Sequence, residues 1–505
     1  MGTPTSVRDR ADDPVRRPAP APGVGGRTRP WGTWLWPGVL ALVLGLYGAG
    51  GPQLWEDELT TWDVVTRPTG RLLDTVQNVD AVLAAYYLLL HAWTGLFGDS
   101  DLALRMPSVL AAAGAAVCTA LIGERLFGRR AGLVAGLLLA LAPVMTRYAQ
   151  EARPYALVVL AVALATLLLL RALDRPEGVA RWSLYALAVA AVGLLHLLAL
   201  TALAGHTVAA AAKGRTAVVR FGLAALAGLV AASPVVVLGL TQAARQLSWI
   251  PRPDLWALAG IWPQLFGSGL LAGAAMTLAV PAWAGAAREA AGDRAPLLAL
   301  TVAAVAPPLV LWTVSHGDVS YFYYRYLLFT LPAWAVLAGA GLRGLRARSA
   351  VAVALAGLAL LTLPDQRWLR EPYAHFWHGV DYRGAAATIR KYHRPGDAVV
   401  YERGDAYWRL LDAGVRHYLP PELRPRDVFL ARSAAARADL WPTECPDPAR
   451  CLGGEPRLWL VVQAGEDDPL NTLPAAQAAA LRARYTSTGT ERLTGVRVAL
   501  LVRKD

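Results

Sequence analysis

An acidic pair, Asp57 and Glu58, follows the first long apolar stretch of the chain, in the run WEDEL at 55–59. Ionised carboxylates at the edge of a bilayer lose solvation and are seldom kept there without a function. The pair therefore indicates an enzyme that works at a membrane face, with Asp57 and Glu58 as its candidate catalytic groups. The alternative is structural, in which the same carboxylates cap an interfacial helix and stay solvated.

Composition indicates a polytopic membrane protein. Of the 505 residues, 55% are hydrophobic and only 17% are charged, and the mean hydropathy is +0.37. These values are too apolar for an ordinary soluble protein. The net charge of +12 does not indicate nucleic acid, because the arginines are scattered between apolar stretches and do not form one basic face.

Charge distribution orients the apolar segments. Residues 1–30 are rich in Pro, Gly and Arg, which predicts a disordered cytoplasmic tail. If the apolar segment 81–97 crossed the bilayer, the later residues Arg125, Arg129 and Arg130 would fall outside, against the positive-inside rule. We therefore predict that 81–97 lies flat at the outer interface as an amphipathic helix, within a first outer loop at 51–104.

With that choice the sequence predicts about eleven transmembrane helices, each near the ~17–25 residues that a crossing needs. They form a transmembrane domain over 31–364, with the spans at 31–50, 105–125, 131–149, 154–172, 181–195, 197–212, 217–240, 268–287, 296–314, 324–342 and 350–364. Between 241 and 266 we predict an aromatic, Pro-broken outer loop. That loop could close over a lipid tail or a sugar, or serve as an interfacial tryptophan belt.

After residue 364 the composition becomes polar, with short β-type runs at 397–401, 458–462 and 496–502 separated by helical stretches. We predict a small α/β domain over 365–505, placed outside the membrane by the odd number of spans. In an oxidising compartment Cys445 and Cys451 would form a disulfide, with two free thiols as the alternative. The sequence contains no metal-ligand spacing.

A resemblance to a known family rests on the segment LALRMPSVLAAAGAAVCTALIGERLFGRRAGLVAGLLLALAPVMTRYAQEARPYAL at 102–157. It resembles bacterial membrane glycosyltransferases of the GT-C type, in the protein-mannosyltransferase and aminoarabinose-transferase-like group. Further matches are WEDEL at 55–59, YYLLLHAW at 86–93 and YYRYLLFTLPA at 323–333. The resemblance covers about 31–345 and implies transfer of a sugar from a polyprenyl-phosphate carrier to an acceptor at the extracytoplasmic face.

The resemblance also implies roles for the candidate residues. Transfer from a lipid phosphosugar needs a base for the acceptor hydroxyl and cations for the departing phosphate. Asp57 matches the acidic position in the family's first loop and is the expected base, while Glu58 shares that role or orients a hydroxyl. Arg153 is expected to bind the carrier phosphate, because a guanidinium forms paired hydrogen bonds. A local ion pair between Glu151 and Arg153 is the alternative.

The other expected substrate-binding residues lie at the outer ends of spans or in outer loops. They are Glu151, Tyr155, Arg325, Arg105, Arg245, His91 and Asp80. Arg325, among tyrosines, would contact either the phosphate or lipid headgroups, and His91 would otherwise pack or face headgroups. The family commonly shows His-Pro-Pro shortly before its Tyr-Tyr-Leu run, whereas this chain has VDAV at 79–82, which leaves the role of Asp80 open.

The implied partners are a polyprenyl-phosphate sugar donor carrying a mannose-like hexose or a pentose, a protein, lipid or polysaccharide acceptor, and the lipids of the plasma membrane. A divalent cation could assist, although the sequence shows no dedicated ligand set. A polytopic transporter would place charges within spans and carry internal repeats, neither of which is evident. A non-catalytic lipid-carrier flippase or cell-envelope assembly protein would keep a lipid cavity yet survive the loss of Asp57.

Overall fold

A computed structural model describes the protein over residues 2, 31–286, 294–342, 348–372, 374, 379–404, 407–465 and 467–504. The predicted cytoplasmic tail at 1–30 lies outside these residues, apart from Gly2. The described chain is mostly helical and ends in a small mixed sheet, as the sequence predicted.

In the part of the chain that the structure describes, sixteen α-helices precede the C-terminal domain. The first, α1, is followed by three helices of the first outer loop, α2 to α4, and then by the longer apolar helices. They are α1 (Gly32–Leu46), α2 (Glu56–Val65), α3 (Thr69–Asn78), α4 (Ala84–Phe97), α5 (Asp101–Phe127), α6 (Arg129–Leu141), α7 (Pro143–Ala149), α8 (Tyr155–Leu173), α9 (Val179–Leu195), α10 (Leu203–Ala211), α11 (Arg215–Gln246), α12 (Leu255–Phe266), α13 (Gly269–Ala286), α14 (Ala295–Val314), α15 (Leu331–Leu342) and α16 (Arg348–Trp368). Short 3₁₀ turns precede α10 and α15, at Leu197–Ala202 and Tyr324–Thr330.

Within the described residues, five helices are long and apolar enough to cross a membrane, or seven if each of two bent helix pairs is one span. Four shorter apolar helices accompany them, Gly32–Leu46, Ala81–Phe97, Val179–Leu195 and Leu197–Ala211. Each of the eleven predicted spans overlaps a helix of the structure. The number that crosses the bilayer stays a prediction.

The two bent pairs have different local causes. α6 ends at Leu141 and α7 starts at Pro143, whose ring suits the first position of a helix, and the axes differ by 62°. Between α12 and α13 the chain turns by 96° at Gly267, which has a φ of +72°. A side chain is disfavoured at Gly267 because of this backbone conformation and because a Cβ would lie 2.8 Å from the backbone nitrogen of Val144.

The segment 241–266 is not the loop that the sequence predicted. α11 continues to Gln246 and α12 begins at Leu255, where the Asp254 carboxylate accepts a hydrogen bond from the Ala257 N–H at 2.7 Å. Pro263 is accommodated inside α12. The connecting stretch is therefore confined to residues 247–254.

The short helix α4 stays beside α2 at both ends. Asp80, just before it, lines the same cavity as Asp57 of α2, and Asp99, just after it, accepts a 2.8 Å hydrogen bond from the Trp62 indole of α2. The position of 81–97 in the plane of the interface stays a prediction.

The elements of the C-terminal domain are α17 (Tyr382–Tyr392), β1 (Ala398–Tyr401), α18 (Leu411–Tyr418), β2 (Arg426–Asp427), β3 (Leu430–Arg432), β4 (Thr443–Glu444), α19 (Pro448–Cys451), β5 (Arg457–Gln463), α20 (Ala475–Arg484), β6 (Tyr485–Leu493) and β7 (Val496–Arg503). Five strands form a sheet of order β2-β1-β5-β7-β6, and β3 and β4 form a separate pair. β1 is parallel to β2 and β5, and the β5-β7-β6 ladder is antiparallel.

Three strands coincide with the predicted β-type runs, and the others were not predicted. β6 reads YTSTGTERL and is mostly exposed, so it carries no apolar pattern that marks a strand. The predicted domain boundary at residue 365 falls within α16, which continues past Pro364 to Trp368. The domain therefore starts later than the change in composition. Cys445 and Cys451 are joined in a disulfide.

The C-terminal domain is seated on the first outer loop. Arg383 of α17 donates to the Gly51 carbonyl at 2.7 Å and pairs with Asp101. The Tyr418 hydroxyl of α18 donates to Asp101 at 2.9 Å and accepts a 2.7 Å hydrogen bond from the Leu54 N–H. These contacts fix the domain over the segment that carries the acidic pair.

Candidate active site

The acidic run forms the first turn of α2. Trp55 is the cap residue, and its backbone N–H donates to the Glu58 carboxylate at 3.4 Å, the reciprocal half of a capping box. Glu56, Asp57 and Glu58 all lie where the helix dipole favours negative charge. Since successive helical residues are about 100° apart, the three carboxylates face three different surroundings.

Glu58 faces inward to Arg105. Arg105 Nε donates to Glu58 Oε1 at 2.8 Å and its Nη2 donates to Oε2 at 2.6 Å, and both side chains are fully buried. The Ala152 N–H also donates to Glu58 Oε1 at 2.7 Å. The other N–H groups of Arg105 donate hydrogen bonds to the backbone carbonyls of residues 49, 52 and 53. Neither Glu58 nor Arg105 is among the described residues that line the cavity.

Asp57 faces two arginines from distant parts of the chain. Its Oδ2 lies 3.0 Å from Arg325 Nη1 and 3.8 Å from Arg153 Nη2. The Asp57 side chain is 30% exposed, to the cavity, whereas the arginines are 10–11% exposed. Burial would raise the pKa of Asp57, but the charges of Arg153 and Arg325 outweigh it and hold that pKa below its usual value.

Arg325 is enclosed by aromatic rings. Its guanidinium carbon lies 5.2–5.9 Å from the ring centroids of Trp55, Tyr155, Trp249, Tyr323 and Tyr326. Such contacts orient a cation while leaving its N–H groups available for an anion. The Nε atoms of Arg325 and Arg153 are both buried and have no hydrogen-bond partner within the described chain.

The turn between α7 and α8 carries Arg153, the second arginine that faces Asp57. The Arg153 Nη1 donates to the Thr61 hydroxyl of α2 at 3.3 Å, so the turn and the first outer loop are in direct contact. Glu151 is fully buried and pairs with Arg147 at 3.2 Å, not with Arg153. Burial raises the pKa of Glu151 to about 7.

These residues open on a cavity of about 1050 Å³. Its walls come from three parts of the chain: residues 55–83, the ends of the apolar helices nearest to them, and the C-terminal domain. The charged and aromatic residues among them are Trp55, Glu56, Asp57, Asp80, Arg153, Tyr155, His196, Arg245, Trp249, Tyr321, Arg325, Tyr326, Glu402, Arg403, Tyr407, Trp408, Asp412, Trp441 and Glu444.

The remaining sequence-predicted residues divide between the cavity and its supports. Asp80 lines the cavity and accepts hydrogen bonds from Tyr87 at 2.8 Å and Gln246 at 2.5 Å. Arg245 lines it too, paired with Asp439 of the C-terminal domain at 3.0 Å. His91 is not among the described lining residues, because its ring is held by the Val65 carbonyl at 2.7 Å and the Thr69 hydroxyl at 3.0 Å.

Several lining residues were missed from sequence. Glu56 belongs to the acidic run, but sequence could not tell which of three adjacent carboxylates would face the cavity. His196 is a lone histidine at the end of α9, and Tyr407 and Trp441 lie in a domain without a recognised motif. Among the described residues, no cluster of three or more His, Cys, Asp or Glu side chains is arranged to hold a metal ion.

Comparison with known proteins bears on the fold. Residues 82–238 match the family model described as dolichyl-phosphate-mannose-protein mannosyltransferase. The structure of ArnT from Cupriavidus metallidurans in the apo state is similar to this chain with a TM-score of 0.59 and 14% identity, over 92% of this chain and 97% of that one. The chain has the GT-C-type fold.

A second structure supports the same conclusion. ArnT from Cupriavidus metallidurans bound to undecaprenyl phosphate is similar with a TM-score of 0.57 and 14% identity, over 93% of this chain and 98% of that one. No curated protein matches the chain. The resemblance to GT-C-type glycosyltransferases is thus confirmed for the fold, including the small C-terminal domain. The family match includes Arg105, Glu151, Arg153 and Tyr155, while Asp57 and Arg325 lie outside it.

Proposed function

We propose that this protein transfers a sugar, a mannose-like hexose or a pentose, from a polyprenyl-phosphate carrier to an acceptor hydroxyl at the outer face of the plasma membrane. The observation that carries the proposal is the position of Asp57 between Arg153 and Arg325 on the wall of a large cavity. One general base and two cations are the groups that this reaction requires.

The proposed step is a displacement at the anomeric carbon of the donor sugar. The acceptor oxygen attacks the anomeric carbon, and its proton passes to the Asp57 carboxylate. The bond between the anomeric carbon and the phosphate oxygen breaks, and the phosphate leaves with the electron pair. Arg153 and Arg325 hold the negative charge on the departing polyprenyl phosphate, with Nε–H groups that are unpartnered in the described chain.

The two ion pairs also explain how a carboxylate with a lowered pKa acts as a base. In the empty site, Arg153 and Arg325 stabilise ionised Asp57 and make it a weak proton acceptor. A carrier phosphate competes for the same guanidinium groups, so the Asp57 pKa rises when the donor binds. The base is therefore strengthened when a polyprenyl phosphate occupies the site.

The comparisons support the choice of carrier. The matched family model is named for dolichyl-phosphate mannose, and one similar ArnT structure holds undecaprenyl phosphate. Both ligands are polyprenyl phosphates. The sugar carried by this chain's donor is not specified by either likeness, so hexose and pentose donors both belong in the test.

The proposed orientation rests on charge. The cavity residues lie in α2, at the start of α8, at the ends of α9 and α11 and at the start of the turn before α15. The start of α5 is held against α2 by the Arg105–Glu58 pair, and the basic cluster at 125–130 lies at the opposite end of α5. The positive-inside rule assigns that basic end to the cytoplasm. The cavity and the disulfide-bonded C-terminal domain then face outside, where an oxidised Cys445–Cys451 pair is stable.

Within this proposal Glu58 and Arg105 are positioning residues. Their buried ion pair holds the start of α2 against the turn at 152, which places Asp57 opposite Arg153. The site residues that would contact substrate are Asp57, Arg153, Arg325, Tyr155 and Asp80.

The test is a transfer assay with purified protein and radiolabelled polyprenyl-phosphate mannose, arabinose and glucose. Release of labelled sugar from one of these carriers is expected, and the Asp57→Asn variant should lose it. Asp74→Asn, an exposed change on α3, is the matched control and should keep full activity. Release of sugar at the wild-type rate by the Asp57→Asn variant would remove Asp57 from the reaction. Solute uptake into proteoliposomes without any sugar release would instead indicate a transporter.

A further inference from the structure

We propose that the part of the cavity between Glu56 and the C-terminal domain is the acceptor subsite, and that it binds an uncharged saccharide. This inference rests on the proposed function and narrows its acceptor to a carbohydrate hydroxyl. This part of the cavity, the acceptor half, is lined by Glu56, Glu402, Arg403, Tyr407, Trp408, Asp412, Trp441 and Glu444.

Glu56 and Asp57 divide the cavity between them. Asp57 faces Arg153 and Arg325, while Glu56 lies under the influence of Arg409 from the C-terminal domain and of Arg147. An acceptor that contacts Glu56 would therefore place its hydroxyl beside Asp57, on the side away from the two phosphate-binding arginines. Attack from this side is what a transfer between two bound substrates needs.

The Glu56 carboxylate lacks a partner. Its side chain is only 9% exposed, yet neither carboxylate oxygen has a hydrogen-bond partner within the described chain. An unsatisfied buried carboxylate is unfavourable, and Glu56 belongs to the cavity wall, so its two oxygens indicate a ligand with hydroxyl donors. Burial raises the pKa of Glu56 to about 7, against the lowering effect of its backbone N–H, Arg409 and Arg147.

Aromatic rings face the same space. The ring centroids of Tyr407 and Trp441 are 4.8 Å apart and their planes are nearly perpendicular, at 86°. Tyr407 is 49% exposed, and Trp408 lines the cavity beside it. Such rings provide flat apolar surfaces of the kind that the C–H face of a sugar ring packs against. A carboxylate that accepts hydrogen bonds from hydroxyl groups, together with aromatic faces in the same cavity, suits a saccharide better than an acyl chain.

The charge of the acceptor half argues against an anionic acceptor. Its lining has four carboxylates, those of Glu56, Glu402, Asp412 and Glu444, and the guanidinium of Arg403, while Arg409 and Arg147 act on Glu56 from outside that lining. Arg403 is already engaged with Asp412 at 2.9 Å and Glu444 at 3.5 Å. A phosphorylated or uronate-rich acceptor would therefore meet net negative charge.

Two of these carboxylates are satisfied by Arg403, and Glu402 accepts a hydrogen bond from the Gln463 N–H at 2.7 Å. Of the carboxylates of the acceptor half that the structure describes, Glu56 is therefore the one that can accept hydrogen bonds from a ligand. A neutral polyol satisfies one carboxylate of intermediate pKa without adding charge to the cavity. The expected ligand is therefore an uncharged saccharide.

The experiment measures binding to the full-length protein in nanodiscs by saturation-transfer NMR. The probes are mannotriose, maltotriose and α-1,5-arabinotriose as neutral saccharides, trigalacturonate as an anionic one, and a short Thr-containing peptide. At least one neutral trisaccharide should bind, and more tightly than trigalacturonate or the peptide. Glu56→Gln and Tyr407→Ala should each weaken that binding about tenfold, a loss typical of a hydrogen bond to a charged group or of ring stacking.

Glu422→Gln is the matched control, since Glu422 is exposed on the same domain, and its binding should equal wild type. Tyr407→Ala, at a half-exposed position, keeps the test valid if Glu56→Gln fails to fold. The inference is overturned if no neutral trisaccharide binds, if trigalacturonate or the peptide binds as tightly, or if both variants bind like wild type.

Undecaprenyl phosphate binding, measured on the same samples, separates this inference from the proposed function. Saccharide binding that depends on Glu56, together with no binding of undecaprenyl phosphate and no transfer, would refute the transferase and leave the subsite standing. Undecaprenyl phosphate binding with sugar release, but without Glu56-dependent saccharide binding, would refute the subsite alone.

Discussion

The replacement Glu58→Gln separates a structural carboxylate from a catalytic one. Glu58 and Arg105 form a fully buried pair with two hydrogen bonds of 2.6 and 2.8 Å. Removing the negative partner leaves the Arg105 charge buried and uncompensated, which costs about 3–5 kcal/mol in comparable pairs. We expect a loss of folding stability of that size from Glu58→Gln.

A double-mutant cycle that combines Glu58→Gln with Arg105→Met measures the coupling energy between the two side chains. Arg105→Met removes the charge on the other side and also leaves three backbone carbonyls without their donor, at about 1 kcal/mol each. The double variant contains no uncompensated charge, so it should be more stable than the sum of the single losses predicts. We expect a coupling energy of at least about 2 kcal/mol.

Unfolding in mixed micelles with increasing SDS measures each stability, and sugar release per folded molecule measures activity. If Glu58 is a positioning residue, Glu58→Gln loses stability while the folded fraction keeps transfer within about tenfold of wild type, since the chemical groups remain. Unchanged stability combined with abolished transfer would refute this reasoning and return Glu58 to the catalytic role expected from sequence.

Three further predictions concern other parts of the molecule. Arg153→Lys and Arg325→Lys should each weaken undecaprenyl phosphate binding about tenfold in a titration, because lysine cannot form paired hydrogen bonds, while the exposed Arg71→Lys should not. Folding raises the pKa of Glu151 from 4.5 to about 7, so the wild-type protein should lose folding stability relative to Glu151→Gln as the pH rises between these values. Above pH 7 the difference in stability between the two proteins should be constant. Stability profiles that run parallel over the whole pH range would contradict this. Gly267→Ala should lower unfolding stability by about 1–3 kcal/mol, since alanine is strained at a φ of +72°, and a stability equal to wild type would contradict the assigned turn.

Sequence was sufficient where a pattern is local. Each predicted span, an apolar segment of helical length, overlaps a helix, and alternating or continuous apolar runs located the buried strands β1, β5 and β7. The polar and mostly exposed β6 carries no such signal. The sequence predicts that the last span ends at residue 364, but the helix continues through Pro364 to Trp368.

The site was only partly predictable because its contacts are long-range. Arg325 meets Asp57 across 268 positions of sequence, and nothing near either residue specifies that contact. The rotation of α2 decides that Asp57 and Glu56 face the cavity while Glu58 faces Arg105, and three adjacent acids carry no information about it. His91 resembled a substrate contact by residue type, yet the Val65 carbonyl and the Thr69 hydroxyl hold its ring.

The central claim is that Asp57 shares Arg153 and Arg325 with the carrier phosphate. The most direct test measures two properties of the Asp57→Asn variant, its affinity for undecaprenyl phosphate and its rate of sugar release. The carboxylate competes with the phosphate for both guanidinium groups, so the variant should bind undecaprenyl phosphate as tightly as wild type or more tightly, while sugar release is lost. Weaker carrier binding with sugar release at the wild-type rate would contradict the account.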